Sequence, residues 1–159
     1  MGVLADPQEA RTKREVFFGL IFRKVEGYVC LGFLSPGTRD MKQEFYQWPS
    51  ERGSMLHAIE QAQGSFNVYF CPQLLSERRC KKEYVFATPN VWADLDTCAP
   101  ENLLVPPSVV VQSSPGRYQA YWTFEREVDP DDAEALSRRI AYAHQEQGAD
   151  TSGWDLTQL

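Results

Sequence analysis

The stretch Val91–Cys98, Val-Trp-Ala-Asp-Leu-Asp-Thr-Cys, constrains this chain more than any other. A β-favouring apolar run ends there in two carboxylates, Asp94 and Asp96, with Leu95 between them. Successive side chains of an extended backbone alternate between faces, so Asp94 and Asp96 are expected side by side, with Trp92 on the same face. Adjacent carboxylates repel unless a cation stands between them. A hard divalent ion such as Mg²⁺ or Mn²⁺ takes oxygen ligands and leaves room for water and phosphate. An isolated Asp-x-Asp is more often a strand running into an acidic turn, so the remainder of the chain decides.

That remainder reads as one domain: 159 residues suffice for a real core. Its 43% hydrophobic and 24% charged residues are ordinary for a soluble globular protein. No apolar run approaches the roughly 20 residues that span a bilayer. The N-terminus lacks the basic-then-apolar order of a signal peptide, so an intracellular protein is expected. Four cysteines, at 30, 71, 80 and 98, include no Cys-x-x-Cys pair and are too sparse for a disulfide framework. Cys30 and Cys71 sit in apolar runs and read as small core residues. The spacing of Cys71, Cys80, Cys98 and His57 argues against a zinc site. A net charge of −6 has the wrong sign for a broad basic surface. Nucleic acid would have to be met by local patches, weakly and with strong salt dependence.

In chain order, residues 1–14 are polar and read as a frayed start or short lead-in helix. Glu15–Val25 and Tyr28–Leu34, parted by Glu26-Gly27, read as a β-hairpin. Glu44–Trp48 is a short third strand. Ser54–Gln63 spaces Met55, Leu56, Ile59 and Ala62 along one helical face, with Gly64 at its close. Phe66–Cys71 favours a strand, and Ser76–Lys82 is the one dense basic cluster. Glu83–Pro89 leads into the Val91–Asp96 strand. Ser108–Gln112 and Arg117–Phe124 form a hairpin around Ser114-Pro115-Gly116. Asp129 caps a helix that Pro130 begins and Gly148 ends, with Ala133, Leu136, Ile140 and Ala143 or His144 buried. After Asp150, Asp155 caps a helix that has hardly begun at Leu159. The order predicts an α+β fold, a mixed β-sheet core with flanking helices.

Three polar groups fall at strand or helix ends: the Asp94/Asp96 pair, the turn Ser113–Gln119 with Arg117, and Asp155. Paired carboxylates, a phosphate-holding turn and a distant third carboxylate are the parts of metal-assisted phosphoryl transfer. Trp-Ala-Asp-Leu-Asp, Ser-Ser-Pro-Gly-Arg-Tyr-Gln-Ala-Tyr-Trp and Gly-Ala-Asp-Thr-Ser-Gly-Trp-Asp-Leu-Thr-Gln-Leu occur in that order. The series, covering about Phe17 to the end, resembles the primase-polymerases of the archaeo-eukaryotic primase superfamily, and above all the catalytic domains of phage and plasmid replication proteins.

The resemblance implies a fold with an RRM-like module and a DNA-directed nucleotidyltransferase that starts or extends primers on single-stranded DNA. It implies Mg²⁺ or Mn²⁺ as cofactor and NTP or dNTP as substrate, in the host bacterial cytoplasm. Asp94 and Asp96 match the family's acidic metal ligands. Trp154-Asp155 fits its third motif, with Asp150 the rival assignment. Ser113 or Ser114 and Arg117 match the nucleotide-binding motif, where Gln119 stands in place of the usual histidine and carries no charge at any pH. Many relatives continue into a basic segment where this chain stops, which implies a fragment of a longer replicase with helicase or accessory domains. Arg78, Arg79, Lys81 and Lys82 can track a DNA backbone or form a solvated loop. Tyr118, Tyr121, Trp122 and Phe124 can stack on bases, although about half belong in the core. His57 and His144 read as packing or surface residues. A metal-dependent phosphodiesterase or nuclease would add histidines at the metal. In a non-catalytic nucleic-acid-binding module, Asp94 and Asp96 would be surface acids.

Overall fold

The first apolar segment departs from its expected strand. The computed structural model describes residues 6–86 and 88–159, and in it Pro7–Phe22 forms helix α1. The Asp6 carboxylate accepts the Gln8 amide at 3.0 Å and Pro7 fills the first turn, a cap that lay ahead of the segment read as β. Phe18, Ile21 and Phe22 are buried at helical spacing. Phe17 packs edge-on against Phe70 and Tyr121, with ring centroids 5.6 and 5.3 Å away. Burial of these rings against both sheets overrides the strand preference of Phe17–Phe22. Residues 1–5 of the expected lead-in, and Ala87 in the approach to the Val91 strand, lie outside the described residues.

The hairpin that does form joins β1 (Gly27–Leu34) to β2 (Met41–Trp48), in unbroken register from Gly27 opposite Trp48 to Leu34 opposite Met41. Helix α2 (Arg52–Ala62) follows and buries Met55, Leu56, Ile59 and Ala62, the stripe expected from their spacing. Gly64 then takes φ +84°, a left-handed conformation. Strand β3 (Asn67–Phe70) returns beside β1, giving a first antiparallel sheet of order β2-β1-β3. Strands β4 (Thr88–Asp96), β5 (Val109–Ser114) and β6 (Arg117–Val128) make a second, also antiparallel, of order β4-β6-β5. The α+β class stands, with the strands divided between two antiparallel sheets instead of one mixed sheet.

The second sheet has a core on each side. Trp92 and Tyr121 join Ile21, Phe22, Leu31 and Leu56 on one face, while Val91, Ala93, Leu95, Ala120 and Trp122 join Ala133 on the other. Helix α3 (Pro130–Ala143) is capped by Asp129, whose carboxylate accepts the Asp131 amide at 2.9 Å. It buries Ala133, Ser137 and Ala141, and Leu136 is left 36% exposed. The small side chains let α3 lie close against the outer edge of β4, where Ser137 Oγ accepts the Trp92 amide at 3.2 Å. The expected stripe is thus rotated toward its smaller residues. Buried Asn90 ties the layers together, donating to the carbonyls of Ile21 at 3.0 Å and Pro72 at 3.2 Å. Among the described residues no helix is long and apolar enough to cross a membrane.

Candidate active site

Strand β4 loses its regular alternation at its last residues. The register against β6 shifts between Asp94 and Asp96, and Asp96 takes φ +47°. Asp94 keeps to the face of Trp92, whereas Asp96 turns to an ion pair with Arg117 at the start of β6. The expected side-by-side pair is therefore corrected: a bulge splays the two carboxylates. Asp94 Oδ1 accepts the Asp96 amide at 3.1 Å, which holds the bend.

A third carboxylate reaches this point from the C-terminal loop, and it is Asp150. The Asp150 amide donates to the Asp94 carbonyl at 3.0 Å, and the Thr97 amide to that of Gly148 at 3.3 Å. Gly148 has φ +103°, and a Cβ there would collide with Thr97 Oγ1. A Cβ on Gly153 would stand 3.0 Å from that of Asp94 and 3.5 Å from Asp150 Oδ2. The loop is stitched to the end of β4 at both glycines, with Ser152 Oγ donating to the Asp150 carboxylate at 2.8 Å. Asp155, the sequence-based choice, instead accepts the amide and hydroxyl of Thr157 at 2.8 Å and lies in the field of Cys80 and Lys82. Asp150, the rival assignment, is thus the one packed beside Asp94, and Asp155 is engaged with Thr157.

Burial pushes the Asp94 carboxyl above its ordinary value of 3.8, and the nearby charges of Asp150 and Asp96 push the same way. The Asp96 amide and Arg117 pull against them. Asp94 opens onto a cleft of about 640 Å³ between the second sheet and β3. Ser113 and Gln119 face it, with Trp92 and Tyr121 beneath. Gln119 lies directly opposite Asp94 in the β4–β6 ladder. The Tyr121 hydroxyl donates to Gln119 Oε1 at 3.1 Å, which leaves the amide Nε2 as a donor. Burial first, and the Asp94 charge second, raise the Tyr121 hydroxyl and keep it a donor.

Ser113 lines the cleft, while Ser114 and Arg117 stand exposed at the turn beside it. On the opposite wall Phe66 and Tyr69 remain 42% and 38% exposed. Neither was singled out from the sequence. The polar Asn67 and Gln63 around a solvent-side aromatic were the available signal.

The basic cluster lies away from the cleft lining. Arg78 stacks over Tyr28 and approaches Glu51 at 3.9 Å, Arg79 donates to the Tyr84 hydroxyl at 3.2 Å, and Lys82 pairs with Glu134. Lys81 projects into solvent. Of the aromatics named for stacking, Tyr121 and Trp122 are core residues. His57 is a surface residue 4.0 Å from Glu60, and buried His144 joins the Ile140 carbonyl to the Leu104 amide.

Among the described residues no three His, Cys, Asp or Glu side chains already enclose a metal position. The Asp94, Asp96 and Asp150 set nonetheless fits a hard divalent cation in its chemistry. All its donors are carboxylate oxygens; Asp94, raised first by burial and then by the charges of Asp150 and Asp96, and Asp96, paired with Arg117, are the kind of oxygen ligand such an ion takes.

The family model of the RepB DNA-primase N-terminal domain matches residues 36–159. The fold is similar to the crystal structure of the catalytic domain of primase RepB′ in complex with initiator DNA, with a TM-score of 0.60 and 19% identity over 94% of this chain and 72% of that one. A crystal structure of primase RepB′ gives a TM-score of 0.57 and 20% identity over 95% of this chain and 47% of that one. No curated protein matches. With a family model spanning most of its length, the chain belongs to the RepB DNA-primase N-terminal domain family.

Proposed function

We propose that this domain is a DNA-directed nucleotidyltransferase that starts or extends primers on single-stranded DNA in plasmid or phage replication. The observation that carries it is Asp94, wedged between Asp96 and Asp150 and facing a cleft that also presents Ser113 and Gln119. Asp94, Asp96 and Asp150 would hold Mg²⁺ or Mn²⁺, which supplies Lewis-acid stabilisation of charge on the transferring phosphoryl group. Ser113 Oγ and Gln119 Nε2 donate to the phosphates of an NTP or dNTP. Arg117 exchanges its carboxylate partner for a phosphate, an acceptor its planar fork suits equally well. Tyr69 and Phe66 offer the base an aromatic wall.

Arg78, Arg79 and Lys82 are engaged within the protein, so Lys81 is the member of the cluster best placed to meet template phosphate. A primed single strand would therefore be held mainly by stacking and by partners elsewhere in a longer replicase. That agrees with the net charge of −6.

Primer extension on a single-stranded template with Mg²⁺ or Mn²⁺ tests the reading, with melting temperature measured alongside. Asp94→Ala and Asp150→Ala should abolish incorporation in folded protein, and Asp155→Ala should keep most of it. Activity persisting in the Asp94→Ala, Asp150→Ala double variant would overturn the site. A dead Asp155→Ala beside an active Asp150→Ala would return the third carboxylate to Asp155.

A further inference from the structure

The two sheets leave two edges each, and three of these are closed. In the first sheet β2 carries Lys42 and Glu44, paired at 2.6 Å, charges of the kind that keep an edge from pairing further, and β3 faces the cleft. In the second sheet α3 lies along β4. That leaves β5, and among the described residues no strand pairs with its outer side. Its sequence, Val-Val-Val-Gln-Ser-Ser, has neither the charge nor the proline that usually blunts an edge. From Asn102 to Gly116 the chain holds no Asp, Glu, Lys, Arg or His, although 24% of all its residues are charged. The uncharged surface extends beyond the strand. Val110 is exposed and stands opposite Ala120, so it shares a face with Ala120 and Trp122. Trp122 Nε1 donates to the Val105 carbonyl at 3.2 Å, and the Leu104 amide donates to His144 Nε2 at 3.0 Å. Leu104 and Val105 are thus held by their backbone groups, while their side chains leave them 79% and 62% exposed. With Val110 they make an apolar patch beside the open edge.

We propose that β5 is the contact of a two-fold dimer, in which it pairs antiparallel with β5 of a second copy of this chain. A row of free N–H and C=O groups is satisfied by another extended strand, and an uncharged apolar strand is its own complement. About a two-fold axis the Val109–Val111 segment of each copy meets that of the other, with the Leu104, Val105 and Val110 patches flanking the junction.

Charge selects a second copy over a foreign strand. A charged partner finds no opposite charge between Asn102 and Gly116, whereas two chains of net charge −6 repel each other least along such a stretch. The pairing also closes on itself. Because α3 covers β4, the joined sheet has no further open edge among the described residues, and the assembly stops at two. The axis stands perpendicular to the sheet, so both clefts open on the same face of it.

Sedimentation velocity of the native chain over a dilution series tests this. The chain should run as a dimer at high concentration and dissociate on dilution. Added salt should tighten the dimer, because screening relieves the repulsion between the copies while the contact itself carries no charge. Val110→Lys sets two like charges at the contact and should raise the dissociation constant by about tenfold or more. Leu104→Glu should act in the same direction from a side chain that the fold leaves exposed. Leu136→Lys, on α3 at the far side of the sheet, should change nothing. Hydrogen exchange gives a readout that needs no variant: amides of Val109–Ser114 should slow as concentration rises, and those of β2 should not. A single chain at every concentration, a dimer that both Val110→Lys and Leu104→Glu leave intact, weakening by salt, or β5 exchange that ignores concentration would each overturn the proposal. None of these outcomes depends on primer synthesis.

Discussion

Replacing Arg117 by alanine should separate two roles that this side chain holds at once. Arg117 is 58% exposed and its partner Asp96 36% exposed, and such a surface pair contributes about 0–1 kcal/mol. Arg117→Ala should therefore cost under about 1 kcal/mol of stability, visible as a small fall in the urea midpoint. A charge-assisted hydrogen bond to a nucleotide phosphate is worth more, about 1.5–3 kcal/mol, which corresponds to roughly 10- to 150-fold weaker nucleotide binding. The same change frees the Asp96 carboxylate, so Mn²⁺ should bind more tightly in the absence of nucleotide. Arg117→Lys should recover only part of the nucleotide affinity, because the two-pronged fork is lost. The assays are a nucleotide titration of primer extension and a calorimetric Mn²⁺ titration of the free protein. An unchanged nucleotide requirement with tighter Mn²⁺ binding would reduce Arg117 to a counter-ion. Loss of more than about 2 kcal/mol of stability would refute its description as an exposed surface pair.

Asp94→Asn should abolish incorporation yet raise the melting temperature at neutral pH, since Oδ1 can still accept the Asp96 amide. The folded-state value of Asp94 is raised, so its favourable contribution exists in the protonated form, below about 3.8, and is lost as pH rises through the folded value. The gain from Asp94→Asn should accordingly shrink toward pH 4, and a constant gain across pH would contradict that assignment. Asn90→Ala leaves two buried carbonyls without their donor and should cost about 2–4 kcal/mol in chemical unfolding. Gln119→His, bonded by the same Tyr121 hydroxyl, should make the apparent nucleotide affinity pH-dependent, tightening below about pH 6.5, where wild type stays flat.

Much of the fold was legible where period and punctuation agreed. The α2 stripe of Met55, Leu56, Ile59 and Ala62, the Asp129-Pro130 start of α3 and the Ser114–Gly116 turn all lie where local chemistry places them. Helix α1 was illegible because its apolar half, Phe17–Phe22, satisfies a strand's composition as well as a helix's spacing. The deciding packing against Phe70 and Tyr121 comes from residues more than fifty positions away. The rotation of α3 has a similar origin. Leu136 is the more hydrophobic residue, but the face set against β4 is the one carrying the small side chains Ala133, Ser137 and Ala141.

At the site, the sequence located the ends of elements and missed how those ends bend. Asp94, Ser113 and Gln119 were legible because each lies on a strand whose register follows from alternation. Asp96 was misplaced because the bulge depends on an αL backbone at a non-glycine residue, which no local composition announces. The third carboxylate turned on a choice between Asp150 and Asp155, five residues apart. Trp154-Asp155 has the family's pattern, but pattern does not fix where a loop docks. The docking is set by Gly148 and Gly153, the positions at which a side chain would strike Thr97 and Asp94. A Cβ at Gly153 would stand 3.0 Å from that of Asp94, so glycine there lets the loop carrying Asp150 dock against the end of β4, while Asp155 is occupied with its Thr157 bonds.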